Sequence, residues 1–374
     1  MLVKRSARGR LRAGVPASLA MVMALAAFTA GCGSSDKSSD DSGGSAAAST
    51  TPAATTEAPK KEVTVGFAWY ARSAPVNQVV ESGAKAAAKD LGAKLLTGGP
   101  TDTADGVAVV NAIKSMVNAG AQGIVAPAPP GVGKELKELQ AEDIPVATAN
   151  SPDTTVDALY VGEAGVTAGK KLAEMGIEAL GGPDKAKGEV LVGNCVPGIQ
   201  SLTQRQDGVL AGLKAAPGLK VVKPFGTDPE PGKNYPIYQQ QYRAHPDAVL
   251  ILGLCSTDTV SIGKLALAND KKFKGAGFDI TDETLKAVAD GGAYATLGQG
   301  SFLQGYLSTR AVIEALQSGK PAPTGFVNSG TEVVTADNVA KYQALGTDAA
   351  ALTAFYADQE KAPLDPQPMA TQGQ

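Results

Sequence analysis

Val63-Thr64-Val65-Gly66-Phe67-Ala68-Trp69, with Pro75-Val76-Asn77-Gln78-Val79-Val80 soon after it, decides the fold. The first stretch is an apolar run of strand length, as in a strand buried on both faces. The second opens a helix. Pro75 suits the first helical position, Val76, Val79, Val80, Ala84, Ala87 and Leu91 share one face, and Gly92 follows as a stop. A buried strand followed by an amphipathic helix is the unit of a parallel sheet covered by helices. The class is α/β.

The unit recurs in both directions from there. Ala93–Leu96, Gln122–Ala126 and Ile144–Thr148 read as strands, with helices over Ala104–Ala119, stopped by Gly120, and over Gly131–Ala141. A second series begins after residue 163. It runs through helix Val166–Leu180, strand Glu189–Asn194, helix Thr203–Ala215, strand Leu219–Phe225 and a helix near Ile237–Ala244. It continues with strand Ala248–Leu254, helix Thr259–Ala268, strand Ala276–Phe278, helix Thr281–Ala289 and strand Ala295–Leu297. At ~150 residues per domain, 374 residues suit two domains. Two doubly wound parallel-sheet lobes are predicted, and ligands of such sheets sit beyond the carboxyl ends of the strands. Two such edges facing each other make a cleft.

Composition narrows the function. With 43% apolar and 19% charged residues the chain can bury a sizeable core, and its net charge of -3 offers no basic excess for a phosphate backbone. Nucleic acid is not an expected partner. One histidine, His245, excludes multi-His zinc sites, and it reads as a turn residue between helix and strand. Three cysteines cannot build a zinc ribbon. Gly131-Val132-Gly133-Lys134 fails the phosphate-loop spacing, and Pro231-Gly232-Lys233 reads as a turn. No carboxylate pair carries an acid/base signal, so no enzyme and no cofactor is expected.

The N-terminus reads as an export signal. Lys4, Arg5, Arg8, Arg10 and Arg12 precede an apolar run, Ala17–Ala30, of 14 residues, too short to span a ~30 Å hydrocarbon core. Thr29-Ala30-Gly31-Cys32 resembles the lipobox of bacterial lipoproteins, which implies cleavage after residue 31 and a lipid on Cys32. Thr29 stands where that family usually has Leu. An ordinary secretory cleavage near Ala30 is the alternative, and it would leave Cys32 as an odd free thiol. Either way the protein is extracytoplasmic. Residues 33–62 lack Val, Leu, Ile, Met and aromatic residues, so they cannot offset the entropy of folding and read as a disordered tether from residue 32.

Several strand-end motifs carry a resemblance to a known family. They are Ala121-Gln122-Gly123-Ile124-Val125-Ala126-Pro127, Ile144-Pro145-Val146, Arg205-Gln206-Asp207-Gly208 and His245-Pro246-Asp247-Ala248-Val249. Asp258 with Gly263, Gly277-Phe278-Asp279, Gln299 with Gly305-Tyr306, and Asp337-Asn338-Val339 continue the series. From Val63 to about Tyr342 the chain resembles type I periplasmic solute-binding proteins of the ribose-binding branch. The resemblance implies two lobes joined by three crossovers, closing on a small polar ligand such as a monosaccharide or polyol and delivering it to an ABC permease. The expected division is 63–162 plus 301–327 for the first lobe, 163–300 plus 328–357 for the second, and 358–374 as a tail. A monomer is expected.

The resemblance places ligand contacts on Asn150, Arg205, Thr257 or Asp258, Asp279 and Gln299. The chemistry agrees, because sugar hydroxyls both donate and accept, and they need carboxylates, amides and a guanidinium in a dry cleft. Asp258 and Asp279 have helix capping as an alternative role. The family's aromatic pair is replaced by Val76-Asn77 and its Asp-Arg pair by Asn150-Ser151. Trp69 and Tyr70 are therefore candidates for stacking against a sugar's C–H face. Arg205→Ala is expected to weaken binding while leaving the fold intact. Cys195 and Cys255 end neighbouring strands, so an exported pair there is a candidate disulfide, with two buried thiols as the alternative. A lipoprotein that signals to a membrane kinase is the competing function.

Overall fold

The computed structural model describes residues 61–102, 105–346 and 348–369; the export segment, Cys32 and residues 33–60 lie outside the described residues. The first elements are β1 (Thr64–Ala68), α1 (Pro75–Asp90), β2 (Lys94–Gly98), α2 (Gly106–Asn118), β3 (Gly123–Ala126), α3 (Val132–Ala141), β4 (Val146–Ala149) and β5 (Leu159–Gly162). Next come α4 (Gly165–Ala179), β6 (Gly188–Asn194), α5 (Gln200–Leu213), β7 (Leu219–Val221), β8 (Phe225–Gly226), α6 (Pro231–Ala244) and β9 (Ala248–Gly253). The series ends with α7 (Ser256–Ala268), β10 (Lys274–Phe278), α8 (Asp282–Ala289), β11 (Ala295–Leu297), α9 (Ser301–Ser318), β12 (Gly325–Asn328), β13 (Val333–Thr335), α10 (Val339–Leu345) and α11 (Ala349–Lys361).

Two sheets form, one per lobe. The first has the order β12-β5-β4-β3-β1-β2 and is parallel throughout. The second runs β13-β11-β10-β9-β6-β7, with β8 also beside β6, and only β13 is antiparallel. Full burial of β3, β4 and β5 matches their unbroken apolar sequence, since helices cover both faces. The chain passes from the first sheet to the second between β5 and α4, returns between β11 and α9, and leaves again between β12 and β13.

Its end departs from the expected division. Leu352 and Tyr356 of α11 join the core of the first lobe with Phe302 and Tyr306, while Phe355 also packs against the second-lobe cluster of Val334 and Tyr342. Residues 349–357 therefore brace both lobes rather than completing the second. The expected tail stays helical to Lys361, and Gln367 pairs with Phe326 beside β12.

Local chemistry accounts for the shifted boundaries. The helix predicted from Ala104 begins at Gly106, because the Asp105 carboxylate caps it by accepting from the Val107 and Ala108 amides. Pro231-Gly232-Lys233, read as a turn, is the first turn of α6, where proline needs no N–H. The strand predicted over Leu219–Phe225 splits into β7 and β8 at Pro224, which cannot donate to a ladder. The short β5, β12 and β13 were not anticipated; they acquire strand character from long-range partners. Among the described residues no helix is long and apolar enough to cross a membrane.

Each lobe contains one helix pair in unusually close contact, α1 on α9 and α4 on α5. A Cβ on Gly305 would lie 1.8 Å from the Val80 carbonyl oxygen, and one on Gly208 would lie 2.1 Å from that of Val166. Backbone cannot yield as a side chain does, so Gly208→Ala must push α4 and α5 apart, an overpacking that costs ~1–3 kcal/mol. At roughly 2–4 °C per kcal/mol, the melting temperature of this variant is expected to fall by about 2–12 °C in calorimetric scans. An unchanged melting temperature would show that the helices part freely.

Candidate functional site

The carboxyl edges of the two sheets enclose a cavity of about 330 Å³. Asn150 just after β4 and Asp279 just after β10 have φ of 67° and 75°, left-handed backbone that Asn and Asp tolerate better than most side chains. Both line the cavity, together with Tyr70, Arg205, Thr257 and Gln299.

Four of these side chains form one hydrogen-bonded chain across both lobes. The Tyr70 hydroxyl donates to Asn150 Oδ1 at 2.6 Å, and Asn150 Nδ2 donates to Gln299 Oε1 at 3.4 Å. Gln299 Nε2 donates to Asp279 Oδ1 at 2.5 Å, and Asp279 Oδ2 accepts the Ser256 amide at 3.0 Å. Burial, eased by Arg205 and reinforced by Asp279, pushes the Tyr70 hydroxyl up to about 12, so it stays a donor at neutral pH.

Arg205 lines the same cavity, buried, with its guanidinium 4.1 Å from the centre of the Phe278 ring. Its Nε donates to Glu163 Oε2 at 2.9 Å and its Nη1 to the Leu254 carbonyl at 2.9 Å, while Nη2 pairs with Glu163. Guanidinium has five N–H donors, so two remain without a protein partner among the described residues. Burial pushes the Glu163 carboxyl up to about 7, against the pull of Arg205. For Arg205, burial lowers the pKa, but Glu163 and then Asp279 more than compensate and leave it raised.

Two expected contacts are corrected. Trp69 does not line the cavity: it is buried in the first-lobe core with Val65 and Phe67, because period-2 alternation puts all three on one face of β1. Its ring is covered by the Arg72 guanidinium at 4.7 Å. Asp258 is fully buried behind the cavity, because α7 starts at Ser256 and turns it inward. It caps nothing from outside the helix. Its oxygens accept from Thr227 Oγ1, Asn234 Nδ2 and the Leu254 amide, three donors that counter the upward push of burial on its pKa. The capping alternative for Asp279 also falls, since Thr281 is the residue that caps α8.

Three residues of the site escaped the sequence reading. Glu163 lies in the first crossover, where nothing local marks it as the partner of Arg205, 42 positions away. Gln304 Nε2 donates to the Gln299 carbonyl at 2.7 Å from the first turn of α9. Asn77 donates to the Tyr70 and Ala71 carbonyls and holds the β1–α1 loop; its place beside Pro75 was visible, its role was not. His245 ends α6 and meets Glu189 at 3.0 Å, away from the cavity lining.

Cys195 and Cys255 are joined in a disulfide with a Cα separation of 6.2 Å, and both line the cavity. Their sulfurs and an Asp258 oxygen lie within 4.8 Å of one another. Bonded sulfurs and a carboxylate already accepting three hydrogen bonds offer a metal ion no ligand set.

The expectation that Arg205 supports little of the fold is also corrected. Its removal leaves Glu163 as a buried carboxylate without its partner, and breaking such a pair costs ~3–5 kcal/mol. Arg205→Ala should therefore lower the melting temperature of the unliganded protein as well as its affinity. Glu163→Gln, which keeps the shape, should do both to a smaller degree. Unliganded thermal scans check this, and a melting temperature unchanged in Arg205→Ala would refute it.

A family model described as "Periplasmic binding protein domain" matches residues 65–321. Among curated proteins the chain is similar to the xylose/arabinose-binding protein XylF of Sulfolobus acidocaldarius, at 21% identity over 262 residues. That match spans 65% of this chain and 63% of the relative's length. Among solved structures it is similar to an ABC transporter solute-binding protein of Burkholderia graminis C4D1M in complex with D-arabinose, with 26% identity and a TM-score of 0.68. The match covers 74% of this chain and 96% of that one. A carbohydrate transporter solute-binding protein of Agrobacterium radiobacter, also bound to D-arabinose, matches with 25% identity and a TM-score of 0.68 over 76% of this chain and 98% of its own. Because the family match spans most of the two-lobed body, this chain belongs to the periplasmic binding protein family.

Proposed function

We propose that this protein is the extracytoplasmic substrate-binding component of an ABC importer, that it captures a monosaccharide or polyol between its lobes, and that it carries out no catalysis. The observation that carries the reading is the polar chain Tyr70–Asn150–Gln299–Asp279, which runs from one lobe to the other along one cavity that Arg205 also lines. Such a set matches adjacent hydroxyls, each of which donates and accepts. Thr257 lines the same cavity. A ligand held from both sides favours the closed arrangement, which is the form a permease can distinguish from the empty one. The D-arabinose bound by the Burkholderia and Agrobacterium proteins supports a sugar. No similarity favours a sensor partnered with a kinase.

The division into lobes follows the sheets, with crossovers at 163–164, 298–300 and 329–332. Lipid on Cys32 would hold these lobes near the membrane through residues 33–62, a reach of roughly 30 Å for a flexible chain of that length. The support for it is the cationic stretch, the short apolar run and Thr29-Ala30-Gly31-Cys32.

A thermal-shift screen over sugars and polyols is the direct test. A true ligand at 100 times its Kd raises native stability by about 2.7 kcal/mol, visible as a shift of several degrees. A screen in which no sugar or polyol shifts the transition would refute the reading. Cys32→Ser should release the protein from membranes into the medium with ligand binding unchanged. Fractionation in which the variant still pellets at high salt would remove the lipid anchor.

A further inference from the structure

We infer that the Cys195–Cys255 disulfide is a redox site that opens into the cavity, where a small dithiol reduces it in the folded protein and so releases two of the loops that line the cleft. The inference concerns the second lobe and holds whichever ligand the cleft takes. Both cysteines are 7% exposed, both belong to the second-lobe core cluster with Leu254, Ile199 and Leu202, and both line the cavity. Core side chains pack around the bond elsewhere, so the cavity is the way in for a reagent.

The bond stands where the sheet stops holding its strands together. β6 and β9 pair as far as Gly193 and Gly253, and the Leu254 amide donates one more bond to the Gly193 carbonyl at 3.1 Å. Past that point the two chains part. Asn194 Oδ1 accepts the Val196 amide of its own loop, and Cys255 leads straight into α7. Among the described residues no hydrogen bond joins 195–199 to 255–257, and the disulfide is their direct link. Both segments serve the site. The Ser256 amide donates to Asp279 Oδ2 at 3.0 Å and Thr257 lines the cavity, while the other segment runs into α5, which carries Arg205.

The chemistry is thiol–disulfide exchange. One thiolate of the dithiol attacks a cysteine sulfur, the Cys195–Cys255 bond breaks, and a mixed disulfide forms as the other cysteine leaves as a thiolate. The second thiolate of the dithiol attacks the mixed disulfide, closes the oxidised ring and frees the first cysteine. The protein gains two electrons and, as both thiolates are protonated, two protons, which the dithiol loses.

The test uses the Cys32→Ser protein, in which Cys195 and Cys255 are the remaining cysteines. Folded protein is exposed to rising concentrations of dithiothreitol, and free thiols are trapped with iodoacetamide and counted by mass spectrometry. Both thiols are expected to appear at a rate proportional to dithiothreitol, and reduced thioredoxin, too large for a cavity of about 330 Å³, should be about tenfold slower or more at equal concentration. A rate that levels off at the rate of unfolding, or one as fast with thioredoxin, overturns the cavity route. Hydrogen exchange then reads the release of the loops. Amides of 196–205 and 256–260, Ser256 among them, should exchange about tenfold faster or more after reduction, while β3 and β4 of the first lobe keep their protection. The double variant Cys195→Ser/Cys255→Ser should show the same pattern, and reoxidation of the reduced protein should reverse it. Unchanged exchange in both segments overturns their release. Exchange that rises through the whole second lobe makes the bond a staple of that lobe and overturns it equally. No sugar enters either measurement, so the sugar-binding reading stands or falls separately.

Discussion

The buried pair of Arg205 and Glu163 is the interaction on which the site depends. Taking a guanidinium and a carboxylate out of water costs several kcal/mol per ion, so such a pair persists only where surrounding structure holds it. Here α5 is held against α4 by a contact that only a glycine at 208 permits, Phe278 lies under the guanidinium, and the Leu254 carbonyl takes a third donor. Glu163 belongs to the first crossover. The same ion pair therefore anchors the second-lobe wall to the passage of the chain between lobes.

The floor of the cavity and the crossovers are joined by hydrogen bonds. Gln299 immediately precedes Gly300, whose left-handed φ of 59° starts α9, and the Gln299 carbonyl accepts from Gln304 Nε2 and Ser329 Oγ. Glu332, in the third crossover, accepts the Gly300 amide at 3.0 Å and the Tyr356 hydroxyl at 2.5 Å. α11 thereby ties the terminal segment to the segments that must absorb a change of dihedral angle when lobes close.

The legible part of the site was the part made of strand ends. Asn150, Asp279 and Gln299 lie just beyond strands, where parallel sheets expose their carboxyl ends to ligands, whereas Arg205 stands within α5 and was marked only by the family resemblance. Trp69 and Asp258 show the limit of that rule. Trp69 is one residue short of the edge, and with a period of two one residue decides between core and cleft. Asp258 was misplaced because α7 begins three residues earlier than its apolar spacing suggests, which turns the carboxylate from the helix start into the interior.

The sequence by itself determined the α/β class and the two successive series of units, because strand and helix periodicities are local properties of burial, while the crossings between lobes came only with the family resemblance. The tertiary structure alone decided which polar groups are already satisfied. Glu163 accepts two of the Arg205 donors and the Leu254 carbonyl a third, Gln304 locks Gln299, and α11 leaves the second lobe to brace both. Each is a pairing between residues tens of positions apart, and whether a polar side chain meets a ligand or a neighbour depends on that pairing rather than on the residue's own surroundings in the chain.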